Sequence, residues 1–311
     1  MAQPPLPSYK EYRKNFITEG VKFPLNIIEQ PLDGLLGQLP KSEKYGWPWN
    51  IQVDPNSYTG DKNWPKITVV SPSYNQAQFL EETLRSVLLQ NYPNLEYIVM
   101  DAQSPDESVG ILKSYSKWLS YWESKKDRGQ SHAINKGFSL ASGEIFCWLN
   151  SDDIFTQGAL QKVAITFLKK NTQFVYGDSW NQKGDELSPF MTSIIMDRYL
   201  PLPGLPQPSV FWKKEIHRPL WEELNCTLDF ELWMRLAYGV RKKYINEFLS
   251  IAKVHPDAKT YNEDPKVKAL WQQDHDKQWA VHGPYNYNRL EKENKYFQFL
   301  LRKIPILKRF F

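Results

Sequence analysis

The 311-residue chain has only 2 cysteines, Cys147 and Cys226. Two thiols so far apart exclude a disulfide framework and give no zinc-binding spacing. Cys147 sits inside an apolar run and reads as a buried thiol. This cysteine usage favours a reducing, cytoplasmic setting. Long hydrophobic runs are also missing: no stretch approaches the roughly 20 apolar residues of a membrane-spanning helix. The opening Met-Ala-Gln-Pro-Pro-Leu-Pro carries no apolar run, so no secretory leader is expected. Net charge is only +4, with basic residues in short clusters such as Arg241-Lys242-Lys243 and Lys308-Arg309. That is too little for the basic stripe of a nucleic-acid binder. Glycine is absent where a phosphate loop would need it. The first strand is followed by Ser71-Pro72-Ser73-Tyr74-Asn75, which is not a G-x-G-x-x-G dinucleotide loop. There is no internal repeat.

What is present fits a soluble globular protein, at 41% hydrophobic and 24% charged. Aromatics are abundant, with 12 Trp, 17 Tyr and 16 Phe. Most such rings fill cores, and some stack on the C–H faces of sugars.

Residues 1–65, rich in Pro, Gly and Asn, read as an irregular arm. Strands and helices then alternate. Strands are predicted at Ile67 to Ser71, Leu95 to Met100, Trp118 to Trp122, Glu144 to Leu149 and from Phe174. Between them, apolar residues recur at helical spacing over Phe79 to Gln90, Ser108 to Lys117, Ser131 to Leu140 and Gly158 to Lys170. Such alternation implies βαβ units and a mostly parallel sheet flanked by helices, with the strand ends along one edge. Residues 188–208 read as a loop or lid, Leu228 to Ala237 as a helix and Tyr244 to Val254 as a strand. A helical extension follows from Asp264.

At the end of the Ile145 to Leu149 strand stand Asp152 and Asp153. Carboxylates there occupy the place where open α/β sheets bind ligands. Two hard oxygen donors suit Mg²⁺ or Mn²⁺, which usually arrive with phosphates. The competing reading is that they cap the next helix. Asp101, ending the second strand, suits a nucleoside or merely starts a turn. Asp229 could cap its helix; Asp229 and Glu231, two residues apart, do not share a helix face.

Four segments in order make a resemblance specific. They are VVSPSYNQAQFLEETLRSVLLQNYPNLEYIVMD, DRGQSHAINKGFSLASGEIFCWLNSDD, LDFELWMRLA and VHPDAKT. The run from Ile67 to Gly177 resembles the nucleotide-sugar half of a glycosyltransferase family 2 enzyme with the GT-A fold. The first 65 residues and those after Thr260 lie outside the resemblance. It implies a Rossmann-like GT-A domain over 66–260, divided at 177 into a nucleotide-sugar half and an acceptor half, with 261–311 as the extension. It implies nucleotide-sugar contacts from Pro72, Tyr74, Asn75, Asp101, Asp127, Gln130, Asn135, Ser151 and Asp153, with Gly129 in the same segment. Asn150 to Asp153 match the DXD motif, with Asn150 at its first acidic place. Asp152, Asp153 and His255 are the implied Mn²⁺ or Mg²⁺ ligands, and Asp229 is the implied general base. His255 alone would read as polar surface.

The implied reaction is inverting transfer of a sugar from a UDP, GDP or dTDP donor to a hydroxyl of a glycan or lipid-linked acceptor. The alternatives are an inert sugar-binding module and a sugar nucleotidyltransferase; the latter would need a Gly-rich, basic loop after the first strand. His132, Leu228 and the Ala102-Gln-Ser turn depart from the family's frequent residues. The terminal segment Tyr296 to Phe311 mixes apolar and basic residues. It suggests docking on the domain or a partner subunit, as in a homodimer, or peripheral contact with the inner membrane face.

Overall fold

A computed structural model describes residues 4, 6–17, 21–58, 63–169, 171–202 and 204–304. In chain order the regular elements begin with helix α1 (Tyr9–Ile17), strand β1 (Ile67–Ser73), α2 (Ala77–Leu88), β2 (Leu95–Asp101), α3 (Ser108–Tyr115), β3 (Tyr121–Ser124) and α4 (Gln130–Leu140). They continue with β4 (Ile145–Trp148), β5 (Ile154–Phe155), α5 (Ala159–Phe167), β6 (Phe174–Lys183), β7 (Glu186–Phe190) and β8 (Val210–Lys213). Helix α6 (Leu228–Leu236), β9 (Lys242–Lys253), α7 (Pro265–His282) and α8 (Tyr287–Lys303) complete the chain.

One sheet runs in the order β3-β2-β1-β4-β8-β6-β9-β5, with β7 paired to β6. Strands β1 to β4 are mutually parallel, and β6 and β9 run the same way. Between β4 and β6 lies the antiparallel β8, which the sequence pattern did not announce. Every residue of β1 and β2 is buried, as expected of strands covered on both faces. Alternation along β1 sends Ile67 and Val69 into one core and Val70 into the other. The first core is closed by α2 and α5 through Leu80, Leu84, Leu160 and Val163. The second is closed by α4 and α6 through Phe138, Leu232 and Trp233. Gly137 lets α4 approach β1 closely: a Cβ there would stand 2.5 Å from Val70 Cγ1.

The mostly parallel, helix-flanked sheet is therefore as the sequence implied. Three local expectations change. The arm is not wholly irregular, because it holds α1, whose Tyr9 hydroxyl donates to Phe138 O at 2.8 Å. Buried Arg85 of α2 fastens the rest of the arm, donating to Pro40, Pro48 and Trp49 carbonyls. Residues 186–190 form β7, a hairpin partner for β6, rather than loop. The strand expected at Trp118 begins at Tyr121, because residues 116–118 close a 3₁₀ turn.

In the C-terminal part, α8 packs through Phe297 on Tyr199, while Tyr296 and Phe299 are exposed. The part of the docking or membrane expectation for Tyr296 to Phe311 that falls on residues 305–311 lies outside those described.

Candidate active site

The site lies where β1, β2 and β4 end and where β9 passes β5. Register sets its first row: Ser73 pairs with Asp101, and Asp101 with Ser124. The Asp101 carboxylate is buried and accepts from Ser104 N at 3.0 Å, from Ser104 Oγ and from Ser124 Oγ. Ser104 Oγ in turn accepts from Asn75 N at 2.9 Å. Asn75 sits at φ +55, a left-handed conformation that Asn tolerates. Asp101 thus braces the turn that holds Tyr74, whose ring is 61% exposed at the mouth of the sheet. Pro72 is buried in β1. Asp127 caps its own loop, accepting from Gly129 N at 2.8 Å. Burial raises the Asp127 carboxyl above its ordinary range, and the nearby Asp101 charge adds to this.

Gln130, the first residue of α4, connects this row to the rest. Its amide donates to Asn150 Oδ1 at 2.9 Å, and its oxygen accepts from Lys259 Nζ at 3.0 Å. Asn150 also donates to Asp153 Oδ2 at 3.3 Å and to Gln207 Oε1 at 3.0 Å. Asn135 lies deeper: its carboxamide donates to Leu220 O and accepts from Leu220 N, so it holds the 220 loop.

Asp152 and Asp153 do not cap the next helix, since α5 begins at Ala159 behind Gly158. They are placed instead by β5, which pairs antiparallel with β9 through Ile154 and Ile251. That register brings Lys253 N to Asp153 Oδ1 at 3.1 Å and His255 Nε2 to Asp152 Oδ2 at 3.0 Å. Asp153 is buried, and its carboxyl is pushed well up, first by burial and then by the Asp152 charge. Ser151, also buried, offers its carbonyl to Thr83 Oγ1. His255 lies on the Phe79 ring at 4.7 Å, and its Nδ1 is buried without a hydrogen-bond partner.

Among the described residues, no group of three or more His, Cys, Asp or Glu side chains could hold a metal alone. Asp152 and His255 supply two. A cation that arrives on phosphates needs only one or two protein ligands. The donor set therefore fits Mg²⁺ or Mn²⁺ carried in with a diphosphate, with buried Asp153 behind.

Helix α6 begins at Leu228, which puts Asp229 in its first turn rather than at its cap. Burial raises the Asp229 carboxyl; bonds from the backbone N–H groups of Phe230 and Asp229 and the Lys259 charge oppose this. Glu231 turns inward and is fully buried, ion-paired to Arg235 at 2.6 Å and facing His282 at 3.0 Å. Burial would raise Glu231, but His282 and Arg235 outweigh it and leave the carboxylate below its ordinary range. A base so engaged cannot accept a proton in the cleft.

Two features lie outside the site residues expected from the sequence. Lys259 donates to Asn225 O at 2.6 Å, and its charge acts on both Asp229 and Asp152. Burial lowers its ammonium, with Cys226, Asp274, Asp229 and Asp152 opposing. Asp274 of α7 is wholly buried and accepts from the N–H groups of Asn225, Cys226 and Thr227 at the start of α6. Gln278, one turn on, donates to Thr227 O at 3.0 Å.

A mostly parallel, helix-flanked sheet with paired acids beyond one strand end has the GT-A architecture. The family model described as glycosyl transferase family 2 matches residues 68–236. The chain belongs to that family, and it is a glycosyltransferase. An uncharacterised glycosyltransferase of Rickettsia prowazekii is 35% identical over 232 residues, covering 67% of this chain and 70% of its own. Among solved structures, Staphylococcus aureus TarS 1-349 in complex with UDP-GlcNAc aligns with TM-score 0.54 at 18% identity, over 61% of this chain and 59% of that one. The Pyrobaculum calidifontis mannosyltransferase PcManGT with GDP-Man and Mn²⁺ aligns with TM-score 0.51 at 16% identity, over 83% and 85%. Likeness at such identity establishes the fold. Among the described residues, no helix is long and apolar enough to cross a membrane.

Proposed function

We propose that this protein is an inverting glycosyltransferase that moves a sugar from a UDP, GDP or dTDP donor to a hydroxyl of a glycan or lipid-linked acceptor. The observation that carries this reading is Lys259. Its ammonium is bonded to Gln130, and its charge acts on both Asp152 and Asp229, which supports a common site for the two acids. The solved neighbours, with UDP-GlcNAc in one and GDP-Man in another, support a nucleotide-sugar donor.

In this reading Tyr74 faces the nucleobase, and Asp101 and Asp127 shape the nucleoside side. Asp152 and His255 would hold Mn²⁺ or Mg²⁺, with buried Asp153 beside them. When bound, that cation offsets the negative charge of the leaving nucleoside diphosphate. Lys259 and the Gln130 amide line the same side of the cleft. Asp229 accepts the proton of the acceptor hydroxyl as its oxygen attacks the anomeric carbon. The new C–O bond forms on the face opposite the departing diphosphate, so the anomeric configuration inverts. A carboxylate raised by burial is a stronger base than one in water, which suits Asp229 to this step. A cytoplasmic setting fits the two buried, unpaired thiols, with the inner membrane face as the meeting place for a lipid-linked acceptor.

The test is Asp229→Asn. Donor binding with Mn²⁺ should be retained while transfer falls by about 10²–10⁴-fold, the range for loss of a general base. Normal turnover by that variant would mean another group takes the proton.

A further inference from the structure

Beyond the cleft, α6 and α7 enclose a second cavity of about 250 Å³ together with the segment that follows α7. Phe230 lines it, and on α6 it directly follows Asp229. Its other walls are aromatic: Trp279, Tyr285 and Tyr287. Trp279 is 44% exposed and Tyr287 37%, so these rings do not fill a closed core. Their centroids are 5.7 Å apart at 41°, forming an open corner. The cavity is smaller than the roughly 300–1,000 Å³ pockets that take drug-sized ligands. It therefore suits a single small ring.

The polar groups narrow the chemistry. Asp276 lines the cavity, and one of its oxygens accepts from Gln272 Nε2 at 2.9 Å. His282 also lines it; its side chain is 1% exposed, and its Nε2 faces Glu231 Oε1 at 3.0 Å. Its other nitrogen, Nδ1, is buried without a partner among the described residues. A buried imidazole nitrogen left open is costly unless something bonds to it. A hydroxyl serves either protonation state, because it can both donate and accept. Aromatic faces, one carboxylate and an imidazole ask for a ring with an apolar C–H face and hydroxyls at its edge.

We infer that this cavity binds a pyranose of the acceptor and so forms an acceptor subsite on the helix that carries Asp229. The inference rests on the transferase reading above. It joins Phe230 of α6, inside the region matched to the family, to Trp279, His282 and Tyr287, which lie beyond it.

The probes are methyl glycosides of glucose, galactose, mannose and N-acetylglucosamine, without nucleotide. Saturation-transfer NMR on the full chain should show at least one binding. Trp279→Ala and Tyr287→Ala should weaken that binding about tenfold, roughly one stacking contact, while Trp279→Phe retains it. Thermal unfolding and donor hydrolysis should match the parent in all three variants. No transfer to any glycoside, or undiminished transfer in Trp279→Ala, overturns the subsite. Donor hydrolysis without glycoside binding would remove the subsite alone. Glycoside binding lost in Trp279→Ala, in a chain that hydrolyses no donor, would keep the cavity and remove the transferase reading.

Discussion

Replacing Asp274 by Ala removes the only acceptor that the described residues supply to three adjacent N–H groups. Asn225, Cys226 and Thr227 donate to its Oδ2 at 2.8, 2.6 and 3.1 Å. Thr227 is the N-cap of α6 but makes no side-chain cap bond. The cap thus comes from α7, some 47 residues further along the chain. Each buried donor left open costs about 1–3 kcal/mol. The three share one oxygen, so their costs do not add in full, and the lost carboxylate at a helix N-terminus adds up to about 2 kcal/mol. Together these give an expected loss of about 3–5 kcal/mol. Asp274→Asn keeps an oxygen acceptor and loses only the charge, so it should cost about 1–2 kcal/mol. Urea denaturation gives both values. Because Asp229 stands two residues past Thr227, folded Asp274→Asn should also lose kcat for transfer with donor affinity unchanged. A loss under about 1 kcal/mol for Asp274→Ala would refute the capping argument, since it falls below the cost of one open donor.

Further outcomes are expected. Asp152→Ala should lose Mn²⁺-dependent donor affinity by tenfold or more, read by calorimetry, since only His255 and the more deeply buried Asp153 remain beside the cation. The pH profile of kcat/KM should show an acid limb above 3.8, the ordinary aspartate value, because burial raises Asp229 and its protonated form cannot take a proton. That limb should vanish from the residual activity of Asp229→Asn. His217, buried against Trp212 and Phe138, has its pKa lowered by burial, then by Arg235, Arg218 and Lys214, from 6.5 to about 3. Between those values the unfolded chain binds a proton that the folded one refuses. Stability therefore rises with pH across this window and falls as the solution is acidified, by about 1.4 kcal/mol per pH unit from this side chain. Urea midpoints at pH 6.5 and 4.5 should converge in His217→Phe relative to the parent.

Residue order by itself determined the layered sheet. The β-rich runs at Ile67–Ser73 and Leu95–Asp101 and the helical stripe through Leu80, Leu84 and Leu88 are local patterns, and local patterns set element type. Four ordered segments likewise made the family legible. Strand β8 left no such trace. It has only four residues, and its place between β4 and β6 depends on partners over thirty positions away. The meeting of His255 with Asp152 was decided only by the β5–β9 register, which no local pattern encodes. Lys259, inside the VHPDAKT segment, and Asp274 carry no role that residue order assigns. Asp274 acquires its role because α7 folds back on α6, where burial makes each open N–H expensive, and Lys259 because its loop meets Gln130 and Asn225.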